Sequence, residues 1–171
     1  MPTSLAIPTI DLDRDDKEIL PTLERALCNI GFVLVKGHDV HDELVSNLRR
    51  YLIDYFDRPL ADKMAERITQ HNYRGYIPLG FFSPNTDGVA PDQYEGYKLH
   101  AEVAADDRLC TACDLYGPNR WPEEPAGLRE TTEAFWQACE AAGQRLLGLI
   151  AQIMKVSVAD FMAYFDQPLT N

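Results

Sequence analysis

The apolar run Phe32-Val33-Leu34-Val35, bounded by Gly31 and Gly37, constrains the fold more than any other feature of the sequence. A short β-branched run between glycines is typical of a strand that is buried on both faces. Such a strand needs neighbours in a sheet and a covering layer on each side. The chain must either supply that sheet or leave the strand incomplete.

Most other periodic segments predict helices. Apolar residues at three- and four-residue spacing predict helices over about residues 16–30, 41–56, 127–154 and 157–164, with a shorter one after Pro59. Residues 7–12 and 94–99 have the pattern of further short strands. Three short, separated strands do not make a self-sufficient sheet. We therefore expect an α+β, mostly helical chain, whose strands either pair with something absent from it or form a small mixed sheet under the helices.

Charge excludes two classes of partner. The 171 residues include 16 Lys and Arg against 27 Asp and Glu, which gives a formal net charge of −11. Nucleic acid and anionic membranes both require basic surfaces, so neither is an expected partner. No apolar run approaches the 18 or so residues of a spanning helix, and the N-terminus lacks the pattern of a secretion signal. A cytoplasmic protein is expected.

Candidate metal ligands are few. His41 and Glu43, with the distant His100, match the spacing of a two-histidine, one-carboxylate iron site. Positions i and i+2 of a helix point about 200° apart, so His41 and Glu43 could chelate one ion only if the first turn were unwound. Cys110 and Cys113 form a C-x-x-C without a second ligand pair, and we expect two reduced thiols in a loop.

The order of several segments resembles the N-terminal region of the isopenicillin N synthase-like family of non-haem Fe(II) and 2-oxoglutarate-dependent oxygenases. The matching pieces are Ile7-Pro8-Thr9-Ile10-Asp11-Leu12, Gly31 to His38, Arg74-Gly75-Tyr76, Glu95-Gly96-Tyr97 and Gly117-Pro118-Asn119-Arg120-Trp121-Pro122. Each piece alone is weak evidence for the family, but together the pieces span nearly the whole chain in the family's order.

The resemblance implies a fold and an activity. The family has a double-stranded β-helix (jelly-roll) core, preceded by a largely helical region that adds strands to the edge of that core. Its members are dioxygenases, a class of oxidoreductase, that oxidise small organic substrates at one Fe(II), usually with 2-oxoglutarate. Residues 1–171 would then be the N-terminal domain of such an enzyme, truncated before the jelly roll. This accounts for a strand without its sheet.

The family's catalytic motifs are missing from the sequence. It contains no His-x-Asp, which supplies two iron ligands in the family, and no Arg-x-Ser, which holds the 2-oxoglutarate carboxylate. Iron needs a facial set of ligands with open positions, and a dicarboxylate needs a fixed cation. We therefore expect Fe(II) and 2-oxoglutarate for the full-length family member, neither bound by this chain alone, and no catalysis by the chain alone.

Residues that could still reach a substrate follow from the same resemblance. In the family, the loop with Arg-Gly-Tyr approaches the mouth of the jelly roll. Carried over, Arg74 would bind a substrate carboxylate, with Tyr73 and Tyr76 beside it. Lys98 and His100 could face the same cavity. Alternatively these are surface and packing residues, and Glu95 is expected to be a structural partner for a nearby cation.

Two functions from different classes remain open at this point. In one, the chain is the N-terminal portion of an oxygenase that acts on a small molecule through the missing jelly roll. In the other, it is a stand-alone, non-catalytic helical module that binds a protein partner. The first predicts exposed sheet edges and an apolar patch on the isolated chain, whereas the second predicts polar residues there.

Overall fold

A computed structural model describes residues 6–69, 72–82, 88, 90–113 and 116–165. Within these ranges the helices are α1 Asp16–Asn29, α2 Asp42–Phe56, α3 Leu60–Ala65, α4 Arg108–Ala112, α5 Leu128–Ile153 and α6 Val158–Met162, followed by a 3₁₀ turn at Ala163–Phe165. The strands within them are β1 Thr9–Asp11, β2 Leu34–Lys36, β3 Gly75–Ile77 and β4 Gly96–Lys98. The α-rich composition with few strands is as expected. No described helix has the length and apolarity needed to cross a membrane.

The chain divides into two compact units. Unit 1 is drawn from Met1–Leu48 and Glu130–Gln167, and unit 2 from Arg49–Arg129 and Pro168–Asn171. Strands β1 and β2, helix α1 and most of α5 belong to unit 1. Helix α3, strands β3 and β4 and helix α4 belong to unit 2.

Unit 1 is built around a β-α-β arrangement. Strand β1 pairs in parallel with β2, with Ile10 opposite Val35, and α1 connects them. Asp15 caps the start of α1 by accepting a hydrogen bond from the backbone N–H of Lys17. Gly31, at φ +82°, follows its end, which is the expected place for a left-handed residue.

The core of unit 1 is entirely aliphatic. It consists of Ile10, Leu12, Ile19, Leu23 and Leu149, with Leu20, Val33, Val35, Leu146 and Ile153 packed against it. The helix predicted over about residues 127–154 is α5, and it supplies core residues near its C-terminal end. Cys139, in the middle of this helix, is exposed.

The strand predicted to be buried on both faces is buried on one face only in this chain. Val33 and Val35 pack against the core of unit 1, whereas Phe32 and Leu34 are 68% and 54% exposed. Ile7, on the neighbouring chain segment, is also exposed at 45%. We call these three side chains, Ile7, Phe32 and Leu34, the open apolar face. The apolar sequence thus predicts a strand covered on both sides, but no described residue covers the side with Phe32 and Leu34.

Unit 2 contains a two-stranded antiparallel sheet. Gly75 of β3 pairs with Lys98 of β4, and Tyr76 pairs with Tyr97. Strand β3 was not predicted, because its sequence lacks alternation and is dominated by glycine and aromatic residues. It is held by β4 and by a further bridge between Arg67 and Tyr76. The segment with the C-x-x-C was predicted to be a loop, but α4 carries Cys110 and ends just before Cys113.

Gly75 is required by the backbone of unit 2. Its φ is +116°, and a Cβ at this position would lie 2.1 Å from the carbonyl oxygen of Glu66. No L side chain can be accommodated without moving that backbone. The glycine of Arg74-Gly75-Tyr76 therefore allows β3 to lie against the chain after α3.

Candidate functional site

Three basic side chains are buried among the described residues, and all of them belong to unit 2. Lys63, Arg74 and His100 have exposed fractions of 5%, 1% and 3%. Buried ionisable groups are costly unless they are paired, so each of the three requires an explanation.

Lys63 is explained by its partners. Its ammonium donates to the Phe56 carbonyl oxygen at 2.6 Å, at the C-terminal end of α2, and to Glu95 Oε2 at 2.9 Å. The same Glu95 oxygen accepts a hydrogen bond from the Tyr76 hydroxyl at 2.5 Å. Burial raises the pKa of Tyr76 to about 12, and its bond to Glu95 acts in the same direction. The expectation that Glu95 is a structural partner for a cation is confirmed.

Arg74 lies at a small cavity. It immediately precedes β3 and lines a pocket of about 250 Å³. The other lining residues are Asn72, Ala105, Cys110, Tyr116, Gly117 and Pro118. Burial lowers the pKa of Arg74, while the nearby Glu102 and Cys110 act in the opposite direction. A guanidinium remains charged in proteins, so Arg74 presents a fixed positive charge to this pocket.

His100 is buried next to the same cation. Its pKa is lowered by burial first and then by the positive charges of Arg74 and Lys98. Neither ring nitrogen has a hydrogen-bond partner among the described residues. The backbone of Tyr73 lies near the ring and raises its pKa, but no hydrogen bond joins the two. Burial next to two cations thus disfavours the charged form of the imidazole.

Lys98 and Tyr73 complete the group. The Lys98 ammonium lies 5.8 Å from the centre of the Tyr73 ring, within the range of a cation–π contact. Both side chains are partly exposed. The structure thus places four of the five residues suggested for substrate binding, Tyr73, Arg74, Lys98 and His100, close to one another.

Tyr76 is the exception among the five. It is 1% exposed, and its hydroxyl is committed to Glu95, as described above. Its contacts belong to the polar cluster of Lys63 and Glu95 rather than to the cavity at Arg74. In this structure Tyr76 holds β3 in place.

Sequence reasoning missed two residues that build this site, Asn119 and Glu102. Asn119 accepts a hydrogen bond from the His100 backbone N–H at 3.0 Å and donates to the His100 carbonyl at 2.7 Å. Glu102 in turn accepts from the backbone N–H and the side-chain amide of Asn119, at 3.0 and 2.9 Å. One signal was available, because His100-Ala101-Glu102 has a histidine and a carboxylate two residues apart.

The donor side chains in the described part of the chain do not form a site for a resident iron. Among the described residues there is no group of three or more His, Cys, Asp or Glu side chains that could hold a metal ion. The alternative site of His41, Glu43 and His100 is therefore not formed, since all three residues are described. The carboxylate of Glu102 is occupied by Asn119, so His100 and Glu102 do not form the beginning of a metal site either.

A family comparison accounts for most of the chain. Residues 7–124 match the sequence model described as "non-haem dioxygenase in morphine synthesis N-terminal". This range begins just before β1 and ends shortly before α5, so it contains the open apolar face and the whole cavity at Arg74.

Three similar proteins illustrate the relationship. A homoarginine-6-hydroxylase of Arabidopsis thaliana is 25% identical and aligns with 91% of this chain and 51% of its own length. A Dictyostelium discoideum protein named as an iron/ascorbate oxidoreductase is 31% identical, over 95% of this chain and 50% of its own. A solved 2OG-Fe(II) oxygenase family protein of Caulobacter crescentus shares the fold with a TM-score of 0.78 at 19% identity, over 92% of this chain and 51% of its own. The chain spans about half the length of these proteins.

Proposed function

We propose, from the premise that this chain belongs to the family of non-haem dioxygenase N-terminal regions, that it is the N-terminal portion of a 2-oxoglutarate- and Fe(II)-dependent oxygenase acting on a small organic molecule. Residues 1–171 then form one N-terminal domain, and the catalytic jelly roll lies in the remainder of the protein. The chain alone does not catalyse the reaction.

The observation that carries this proposal is the open apolar face. Strand β2 packs Val35 against the core of unit 1 and exposes Leu34 to solvent, and Phe32 and Ile7 are exposed as well. Contiguous exposed apolar residues on a sheet mark a surface that another element covers. A chain that spans half of its relatives' length leaves room for a covering domain of similar size.

Fe(II) and 2-oxoglutarate supply the oxidising chemistry in this class of enzyme. The described residues include no group of three or more His, Cys, Asp or Glu side chains that could hold the metal. The chain contributes a wall of the substrate site instead. Arg74 binds a carboxylate of the substrate, because a buried guanidinium is a fixed, bidentate donor for that group. Beside Arg74 lie Tyr73, Lys98 and His100. Tyr76 supports strand β3 through its hydrogen bond to Glu95. A relative named for hydroxylating homoarginine shows that amino acids are among the substrates of related enzymes.

The proposal is tested on the protein from its source. An antibody against this chain is used to purify the native protein, and Fe(II)-dependent conversion of 2-oxoglutarate to succinate is measured in the presence of O₂. We expect turnover by the native protein, with loss of turnover after chelation of the metal. The recombinant 171-residue chain is the control and should give no succinate. Turnover by that chain alone, or a purified native protein without any turnover, would contradict the proposal.

The second candidate, a stand-alone module that binds a protein partner, uses the same open apolar face. It differs in that the covering surface is encoded separately. A native protein that contains only this chain and co-purifies with a jelly-roll protein would favour it.

A further inference from the structure

The function proposed above does not use the chemistry of the cysteine pair Cys110 and Cys113. Both are partly exposed free thiols, one inside α4 and one directly after it. A C-x-x-C pair serves either as half of a metal site or as a dithiol. Both cysteines are described, and they belong to no group of three or more potential metal ligands among the described residues. A dithiol needs no further ligand.

Helix α4 sets the spacing of the two cysteines. The Cys110 N–H donates to the Asp107 carbonyl oxygen at 3.1 Å, and the Cys113 N–H donates to the Leu109 carbonyl oxygen at 3.0 Å. Both residues therefore lie on the helical path of the backbone. Helix geometry puts Cα atoms three residues apart at a separation of about 5 Å. This separation lies within the roughly 4.4–6.8 Å that a disulfide spans.

Cys113 has the conformational freedom to complete such a bond. It is the C-terminal cap of α4, with an extended backbone at φ −157° and ψ 126°. Rotation about its N–Cα bond redirects the Cβ without moving the N–H that bonds to Leu109. The adjustment affects the loop side of the residue, where its carbonyl accepts a hydrogen bond from the Tyr116 N–H at 3.0 Å. No helical hydrogen bond has to break when the sulfurs approach.

Oxidation of Cys110 leaves its hydrogen-bond acceptor satisfied. The Cys110 thiol donates a weak hydrogen bond to the Ala104 carbonyl oxygen at 3.3 Å. The same oxygen also accepts a hydrogen bond from the Asp107 N–H at 3.0 Å. Ala104 thus keeps a partner when the S–H is lost, and the cost of an unsatisfied polar group does not arise.

Small reagents have access to the pair. Cys110 lines the cavity of about 250 Å³, and both cysteine side chains are partly exposed. Thiol–disulfide exchange requires contact between a thiolate and a sulfur of the reagent, so access is one condition for it. Cysteines that are fully buried for structural reasons are inert by comparison.

We propose that Cys110 and Cys113 form a redox-active dithiol, which closes to a disulfide by exchange with a small organic disulfide such as oxidised glutathione. One cysteine thiolate attacks a sulfur of the reagent, forms a mixed disulfide and releases one glutathione thiolate. The thiolate of the other cysteine then attacks the protein sulfur of the mixed disulfide, which forms the Cys110–Cys113 bond and releases the second glutathione. The chain loses two electrons and two protons, and the reagent gains them as two thiols.

The test is equilibration of the 171-residue chain in buffers of reduced and oxidised glutathione, followed by acid quenching, tryptic digestion and mass spectrometry. Trypsin cuts after Arg108 and Arg120, and no Lys or Arg lies between them, so both cysteines fall in the peptide 109–120. We expect this peptide to lose two hydrogen atoms as the buffer becomes more oxidising. The internal disulfide should exceed the mixed disulfide with glutathione by about tenfold or more, because the second thiol has a high effective concentration.

Variants and an unfolded reference assign the effect to the pair and to its helix. Cys110→Ser and Cys113→Ser should each give only a mixed disulfide. Cys28→Ser and Cys139→Ser, which remove exposed cysteines from other helices, should leave the disulfide in peptide 109–120 unchanged. The parent chain in concentrated urea should have a smaller oxidised fraction at the same buffer ratio, because no helix then holds the two Cα atoms at bonding distance.

Two results on the unaltered chain would overturn the inference. One is a peptide 109–120 that stays as a dithiol or a mixed disulfide when the folded chain is equilibrated in oxidising buffer. The other is an oxidised fraction that is equal in the folded and the unfolded chain. Both readings come from the parent sequence, so a variant that fails to fold does not obscure the answer. Neither depends on 2-oxoglutarate turnover by the native protein, so this inference and the proposed function fail separately.

Discussion

The two units of the chain bury different kinds of residue. In the described part of unit 1 every buried side chain is aliphatic, and its ion pairs are exposed or partly exposed, as with Arg14 and Glu18 at 3.9 Å. Unit 2 buries Lys63, Arg74 and His100 together with Tyr55 and Tyr76. Unit 1 is therefore stabilised by apolar area, whereas unit 2 depends on polar groups that must each find a partner.

This difference matches the roles proposed for the two units. In unit 1 an aliphatic core lies beneath the pair of strands β1 and β2, whose other side is the open apolar face. This arrangement suits a unit that packs against another domain. A core with fixed cations at a cavity suits a unit that binds a charged ligand, since such groups are retained at a cost to stability. Substitutions that act on one unit and not on the other can test the distinction.

The largest effect is expected at Gly75. Gly75→Ala should destabilise unit 2 by more than about 3 kcal/mol, because its Cβ would meet the Glu66 carbonyl at 2.1 Å in a strained backbone region. Gly143→Ala in α5 is the matched change, with nothing within 4 Å of the added methyl group. It should raise stability by about 0.5–1 kcal/mol. Chemical denaturation followed by circular dichroism measures both, and a tolerated Gly75→Ala would contradict this arrangement of β3.

Truncation in the aliphatic core comes next. Leu23 is 1% exposed, so Leu23→Ala should cost about 3 kcal/mol through lost burial and the cavity that remains. Leu34→Ala, on the open apolar face, should cost less than about 0.5 kcal/mol in the isolated chain. Equal losses at the two positions would show that something already covers Leu34 in solution.

The buried Lys63 tests the polar cluster of unit 2 in the same way. Lys63→Met removes a donor from the Phe56 carbonyl and from Glu95, and should lower the free energy of unfolding by about 2 kcal/mol. Glu95 keeps its bond to Tyr76, which limits the loss. Arg50→Gln breaks an exposed pair with Asp54 at 3.9 Å and should change stability by less than about 0.5 kcal/mol. If the two variants were equally stable, the polar cluster would not support unit 2.

The smallest expected effect is a pH dependence at Glu95. Burial would raise the pKa of Glu95, but the hydrogen bonds from Tyr76 and Lys63 together lower it. The unfolded chain then binds the proton more readily than the folded one. The contribution of Glu95 is thus complete above the ordinary carboxyl pKa and is lost as pH falls through the lowered value. Glu95→Gln should flatten the acid limb of the stability curve measured by denaturant titration, and an unchanged limb would exclude this role.

The sequence predicted the longer helices well because each has apolar residues at helical spacing. The helix predicted over about residues 16–30 is α1, flanked by Asp15 and Gly31, and β1 has its buried Ile10 between less buried neighbours. Strand β3 and helix α4 were missed because both are too short to show a period. Their formation depends on tertiary partners, such as the Glu66 carbonyl that receives the Tyr76 N–H at 2.9 Å.

The candidate site was predictable in part. The residue types at Arg74, Lys98 and His100 drew attention through a resemblance, and the structure places them close together. No local pattern could show that Tyr76 is committed to Glu95, or that Asn119 holds His100 from 19 residues away. These are long-range pairings between side chains, which periodicity and spacing do not encode.

The central claim, that this chain is the N-terminal portion of a larger oxygenase, is tested most directly by the mass of the native protein in its source. Blotting with an antibody against the chain should reveal a band at roughly twice 19.4 kDa, since the chain spans about half of its relatives. A single band at 19.4 kDa would contradict the claim and would favour a separately encoded partner for the open apolar face.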